Sequence, residues 1–195
     1  KGGFIGSNLD SATVKDKVSH TLVLPADVNG LPNLTAKIYS NPLDSLIDAV
    51  ESLIRDPYGC FEQTSSTTYP MVMGLRLLIE LESKLSDATE KKRVVEMKDD
   101  MQKKLTAGYE RLIGFETDTF GYEWFGASPG HETLTAYGLM QFIEMKDVGI
   151  NVDQEMIERT DSWLRGRSKK GEFQLNPRQL DSFGGATKEV SNAYI

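Results

Sequence analysis

Pro57-Tyr58-Gly59-Cys60-Phe61-Glu62-Gln63 holds the chain's one cysteine, with a glutamine three positions after it and a glutamate just before that glutamine. A hydroxyl-rich run follows, Thr64-Ser65-Ser66-Thr67-Thr68, and leads into Tyr69-Pro70. A thiolate is a strong nucleophile, and the glutamine carboxamide is a carbonyl whose departing group is ammonia. In a tight turn the sulfur of Cys60 reaches the side-chain carbonyl of Gln63. Loss of ammonia then leaves an internal thioester, a stored acyl group that persists only where water is kept out. The competing reading is a small buried cysteine beside a polar turn. A four-residue Cys-x-Glu-Gln match does not by itself decide between them.

The flanks of this stretch have a helical pattern. Asn41 is a fair N-cap, Pro42 suits the first helical position and Asp44 the first turn. Leu43, Leu46, Ile47, Val50, Leu53 and Ile54 fall on one face. Asp56-Pro57 predicts the end of that helix, because a residue before proline avoids the α region. The motif therefore lies in a turn between two helices. The second is predicted from Phe61 or Glu62 to Leu85, with Met71, Leu75, Leu78, Ile79 and Leu81 as its apolar residues and a kink or restart at Pro70. A third, over Thr89 to Phe115, carries Val94, Met97, Met101, Leu105, Tyr109, Leu112 and Ile113 on its stripe, while Glu90-Lys91-Lys92-Arg93 reads as a solvated face.

Thr117 to Pro129 is a loop rich in glycine and aromatics. Tyr122 and Trp124 in it, like Tyr69, could shield a reactive bond from water, although aromatics are more often packing residues. Helices are predicted from Gly130 to Lys146, from an Asp153 cap to Arg167, and from Ala186 to the last residue. His131-Glu132-Thr133-Leu134-Thr135-Ala136-Tyr137 can be laid on Lys188-Glu189-Val190-Ser191-Asn192-Ala193-Tyr194, with Glu, Ala and Tyr coinciding. Each copy follows a turn with glycine then an aromatic, at Gly121-Tyr122 and Gly171-Glu172-Phe173. Repeated helix pairs of this kind stack into solenoids or close into α/α toroids.

The first forty residues differ in character. Leu22-Val23-Leu24 ends at Pro25, Asp27-Val28-Asn29-Gly30 is turn chemistry, and Leu34 to Tyr39 alternates as a half-buried strand does. Two or three short strands are expected there. Gly2-Gly3-Phe4-Ile5-Gly6 resembles the glycine-rich turn of nucleotide-sugar epimerases, but the strand and helix that turn needs are not beside it. Asn33-Leu34-Thr35 is a glycosylation sequon, which bears only on a eukaryotic secreted protein. The 195 residues suffice for a substantial core. A net charge of −7 with no basic, aromatic-interleaved patch argues against nucleic acid, and no apolar run is long enough to span a bilayer. One cysteine gives no disulfide framework. Nothing in the pattern calls for a metal or cofactor. The chain starts at Lys1, without an initiator methionine, and is expected to be a piece of something longer.

Pro-Tyr-Gly-Cys-x-Glu-Gln between two apolar helices resembles the thioester region of the alpha-2-macroglobulin and complement family. The resemblance runs from about Pro42 to the end of the chain. It implies that Cys60 and Gln63 form the thioester, with Glu62 as the motif's acidic residue. Phe61 stands where vertebrate members usually have glycine, a departure that points to a divergent, bacterial-type macroglobulin. The resemblance implies a mainly α fold, an α/α toroid of helix pairs over 41–195 that is incomplete in this chain. Residues 1–40 would be the β segment of a preceding CUB-like module. It further implies a single-event covalent trap rather than an enzyme: an endopeptidase inhibitor whose dry thioester is exposed by proteolysis elsewhere and acylates the target. Partners would be target proteases or surface nucleophiles, and the remaining domains of the parent protein. The location would be extracellular, at the cell surface, or periplasmic in a bacterium. Some complement members carry a histidine before a Gly-Gly pair that redirects the bond to hydroxyls. Counting back from Gly184-Gly185 puts Gln179 at that position, which implies direct capture of amines such as lysine. Two other readings stay open: an α/α toroid interaction module without a formed thioester, and a cysteine hydrolase pairing Cys60 with His131.

Overall fold

The computed structural model describes residue 39, residues 42–173 and residues 187–195. The chain divides between Ile38 and Tyr39. The CUB-like segment assigned to residues 1–40, with its strands and glycine-rich turn, falls outside the described residues, Tyr39 apart. Gln179 falls outside them as well.

Helix α1 (Pro42–Glu51) buries Ile47 and Val50, while Leu46, one step round the helix, stays exposed. It ends earlier than the Asp56-Pro57 boundary predicted. Leu53 and Ile54 donate their N–H groups back to Val50 and Glu51 in tightened turns, and the chain then runs without regular secondary structure to the motif. Helix α2 (Phe61–Lys84) begins inside the motif and passes through Pro70 without a restart. Pro70 has no N–H to give. The hydroxyls just before it bond back along the helix, Thr67 Oγ1 to the Gln63 carbonyl at 3.0 Å and Thr68 Oγ1 to the Thr64 carbonyl at 2.9 Å. Met71, Val72, Leu75 and Leu78 are buried, whereas Ile79, expected with them, is exposed.

Asp87 caps α3 (Ala88–Ile113), its carboxylate accepting from the N–H groups of Thr89 and Glu90. Val94, Met97, Met101, Leu105, Tyr109 and Leu112 are all buried, so the predicted stripe is the face laid on α2. The α2–α3 pair is the most extensive helix–helix interface of the described residues. Helices α4 (Glu132–Asp147) and α5 (Gln154–Gly166) form the next pair, with α4 also packed on α2 and α3. A two-stranded antiparallel hairpin, β1 (Ser168–Lys169) and β2 (Glu172–Phe173), follows α5 and leads toward α6 (Lys188–Tyr194). Both copies of the sequence repeat thus begin a helix after a glycine-aromatic turn. In the first, Glu132 is fully buried and paired with Arg167 Nε at 2.7 Å. In the second, Glu189 is exposed.

The core runs continuously from α1 to α5. Phe61 is fully buried at its centre, with ring centroids 5.2 Å from Tyr122 and 6.2 Å from Phe115. Its ring lies over Gly138 of α4, where an added Cβ would come within 2.6 Å of the Phe61 ring tip. Phe61 is therefore a core residue, and the glycine opposite leaves room for it. Burial of such a ring contributes about 2–3 kcal/mol and anchors the first residue of α2, next to Cys60.

Candidate functional site

The turn before α2 is shaped by Gly59, whose φ of +77° lies in the left-handed region open to glycine. Cys60 is the N-cap of α2, and its thiol is free and 8% exposed. Gln63 occupies the third helical position. Its side chain folds back so that Oε1 accepts the Cys60 backbone N–H at 3.2 Å. The carboxamide fills the space beside Gly59: a Cβ there would lie 2.0 Å from Gln63 Oε1 and 2.8 Å from Cδ. Sequence spacing predicted that Cys60 and Gln63 approach each other, and the fold brings the Gln63 carbonyl back onto the cysteine's own backbone.

Two neighbours secure this turn. From α3, Arg111 donates through Nε to the Gly59 carbonyl at 3.0 Å, and its Nη2 bonds the same oxygen. The same Nε reaches Thr64 Oγ1 at 3.2 Å, and that hydroxyl donates to the Tyr58 carbonyl at 3.0 Å. From the 117–129 loop, the Trp124 carbonyl accepts the Phe61 N–H at 3.0 Å, and Trp124 Nε1 donates to Glu62 Oε2 at 3.0 Å. Trp124 is 6% exposed. Glu62 thus touches the site through Trp124.

The loop itself is braced at both ends. Arg159 of α5 grips Glu116 with two bonds of 2.7 Å. Tyr122 donates its N–H to Thr135 Oγ1 at 2.8 Å and accepts the His131 N–H at 2.8 Å.

His131 serves this architecture. It caps α4, with Nδ1 accepting the Leu134 N–H at 3.2 Å, and its ring meets Trp124 edge-on at 4.8 Å. Burial holds its pKa below the ordinary histidine value, against the smaller opposing pull of Glu132 and Glu123. A neutral ring with Nδ1 as acceptor leaves Nε2 as its donor. Among the described residues no hydrogen bond joins His131 to Cys60, so the geometry gives the Cys-His pairing no support. Tyr69 instead donates to Glu144 Oε1 at 3.1 Å, and Tyr122 is fully buried in the core.

Beside Gln63 the surface opens into a groove of about 400 Å³ lined in part by Arg55, Tyr58, Glu62, Gln63, Ser66 and Thr67. Tyr58 is 61% exposed at its edge. The sequence marked Trp124 only as one candidate shield among several, and it did not mark Arg111 at all. A glycine-aromatic loop was the available signal for the first. For the second there was none, because one arginine on a charged helix face looks like any other.

The chain is similar to known proteins over most of its length. A family model described as the A-macroglobulin TED domain matches residues 35–192. Alpha-2-macroglobulin of Thermotoga maritima is 24% identical over 127 residues, which is 63% of this chain and 7% of that protein. Among solved structures, native Escherichia coli alpha-2-macroglobulin, seen by cryo-electron microscopy, superposes with a TM-score of 0.51 at 21% identity, covering 76% of this chain and 9% of that one. A crystal structure of the same protein from domain MG7 to the C-terminus gives the same TM-score and identity and is covered over 22% of its length. The chain therefore spans a small fraction of the relatives it matches, and the helix pairs described above are part of the α/α toroid of that domain.

Proposed function

The chain belongs to the A-macroglobulin TED domain family, and on that premise we propose that it carries an internal thioester between Cys60 and Gln63 and releases it once, to a nucleophile. The family supplies the coarse assignment, protease inhibition rather than catalytic turnover. One observation carries the finer one: the Gln63 carboxamide is folded back over Gly59 onto the Cys60 N–H, at the head of α2.

Closure forms a bond between Cys60 Sγ and Gln63 Cδ and breaks the Cδ–N bond. The thiol proton leaves with the amide nitrogen as ammonia. Trp124 bonds the first turn of α2 beside the motif through its carbonyl and its indole, and the burial of Trp124 and Phe61 limits water on that side. An incoming amine approaches through the groove that Glu62 and Gln63 both line. It forms an amide at Gln63 Cδ, breaks the thioester and returns a proton to the Cys60 sulfur. Gln179, at the position where some complement members have histidine, supports direct capture of amines over transfer to hydroxyls. The nucleophiles are lysine amines of a target protease or surface, met outside the cell or in the periplasm, with the rest of the parent protein controlling exposure.

Labelling with methylamine followed by peptide mapping tests this reading. Incorporation at Gln63, with one new thiol at Cys60, supports it. Methylamine elsewhere, or none with the thiol already titratable, overturns it.

A further inference from the structure

Arg111 and Gln63 lie on different helices, yet they bond to the two ends of one peptide unit. The Gly59–Cys60 peptide is trans, since the one cis bond among the described residues is Ser128–Pro129. Its carbonyl and N–H therefore point in opposite directions. The carbonyl end accepts Arg111, through Nε at 3.0 Å and also through Nη2. The N–H end donates to Gln63 Oε1 at 3.2 Å. This oxygen is the atom on which negative charge builds when Cys60 attacks, and again when an amine attacks the thioester. A donor already aimed at such an oxygen lowers the barrier to both steps. A cation bonded to the carbonyl of the same amide strengthens that N–H as a donor, because hydrogen bonds in a chain polarise one another.

We propose that Arg111 is a positioning residue for thioester closure and for amine capture, acting through the Gly59–Cys60 peptide to hold the Cys60 N–H on Gln63 Oε1. The guanidinium fixes the plane of the peptide and polarises it. Its further bond to Thr64 Oγ1, at 3.2 Å, ties that plane to the first turn of α2. Position 111 thus sets both how fast the carboxamide is attacked and how readily the finished bond yields to an amine. The inference rests on the thioester reading above, but the peptide geometry is measurable whether or not the bond is closed.

The test uses the whole chain and two variants, Arg111→Gln, which keeps a donor without charge, and Arg111→Lys, which keeps charge without the fork. Circular dichroism establishes that each is folded. The amide proton of Cys60 is followed by its chemical shift and its exchange with solvent. The second-order rate of methylamine incorporation is measured on the closed fraction. In Arg111→Gln the Cys60 amide signal should move upfield and exchange faster, and methylamine capture should slow about tenfold, less than the full loss of an oxyanion donor. Arg111→Lys should fall between this variant and the parent chain. A folded Arg111→Gln variant with the parent's Cys60 amide signal and the parent's rate overturns the inference. If the parent chain never loses ammonia, the thioester reading fails. The Cys60 amide then still decides the role of Arg111: a shift in Arg111→Gln supports it and no shift overturns it.

Discussion

The Gln63 carboxamide occupies the space that a side chain on Gly59 would need, with Oε1 only 2.0 Å from the Cβ position of residue 59. Glycine is required there twice over, for the left-handed φ of +77° and for the contact. Gly59→Ala should therefore cost about 1–2 kcal/mol for the backbone conformation alone and push the carboxamide off Cys60. The expected outcome is a folded chain of lowered melting temperature whose thiol titrates fully and whose mass shows no loss of ammonia. Differential scanning calorimetry and intact-mass measurement on one sample check both parts. An alanine variant that still closes would show that Gln63 reaches Cys60 by another route.

Phe61 and Gly138 form a second pair of this kind. Gly138→Ala brings a methyl within 2.6 Å of the ring tip and should destabilise by about 1–3 kcal/mol through overpacking. Phe61→Ala should cost about 3–5 kcal/mol through the cavity it leaves. The double variant should be less destabilised than the sum, since each change relieves the other's fault. Urea unfolding of the four chains measures that coupling, and simple additivity would show that the Phe61 ring does not pack on position 138.

Trp124 joins the motif to the loop through its carbonyl and its indole N–H. Trp124→Phe keeps most of the ring and loses the bond to Glu62, at a cost of about 1–2 kcal/mol. If the indole also covers the motif, spontaneous hydrolysis of the closed form should quicken in this variant while the α2–α3 pair stays folded. A time course of thiol release without added amine reads that rate. An unchanged rate would assign Trp124 to packing alone.

His131 gives a pH dependence with a definite sign. Its pKa is lowered in the folded chain, chiefly by burial. The unfolded chain, titrating near 6.5, then binds more protons than the folded one below that pH. Stability contributed by neutral His131 is complete above that value and is lost as the pH falls through it and below. Protonation would also remove the acceptor that caps α4. Unfolding measured from pH 7.5 to 5 should show this loss, and His131→Asn, which caps without titrating, should flatten the slope in that window. Equal slopes in the two chains would mean that other groups carry the acid sensitivity.

The helix pattern was readable in the sequence because the apolar stripe of α3 and the cap at Asp153 are local signals, whereas the Asp87 cap emerged only in the fold. The turn at 57–60 was readable too, from glycine and proline. Pro70 misled because a proline removes one helical bond without deciding that the helix stops, and burial of Met71, Val72 and Leu75 beyond it accompanies an unbroken α2. Ile79 misled because periodicity marks a face but not how far a neighbour extends along it. The approach of Gln63 to Cys60 followed from their spacing. The clamp from Arg111 lies across a helix pair, the bond from Trp124 across a loop, and neither has a local signature. The role of Phe61 became clear only with Gly138 opposite it.

The central claim is that Cys60 and Gln63 close on each other, and the intact mass of the native chain tests it most directly. The native chain should have a mass lower than the sequence mass by one ammonia. Treatment with methylamine should then replace the lost ammonia by the amine, leaving a chain heavier than its sequence mass by one methylene and releasing one thiol, and the deficit should be absent from Cys60→Ala. A native chain at full sequence mass, with Cys60 reactive before any amine is added, would contradict it.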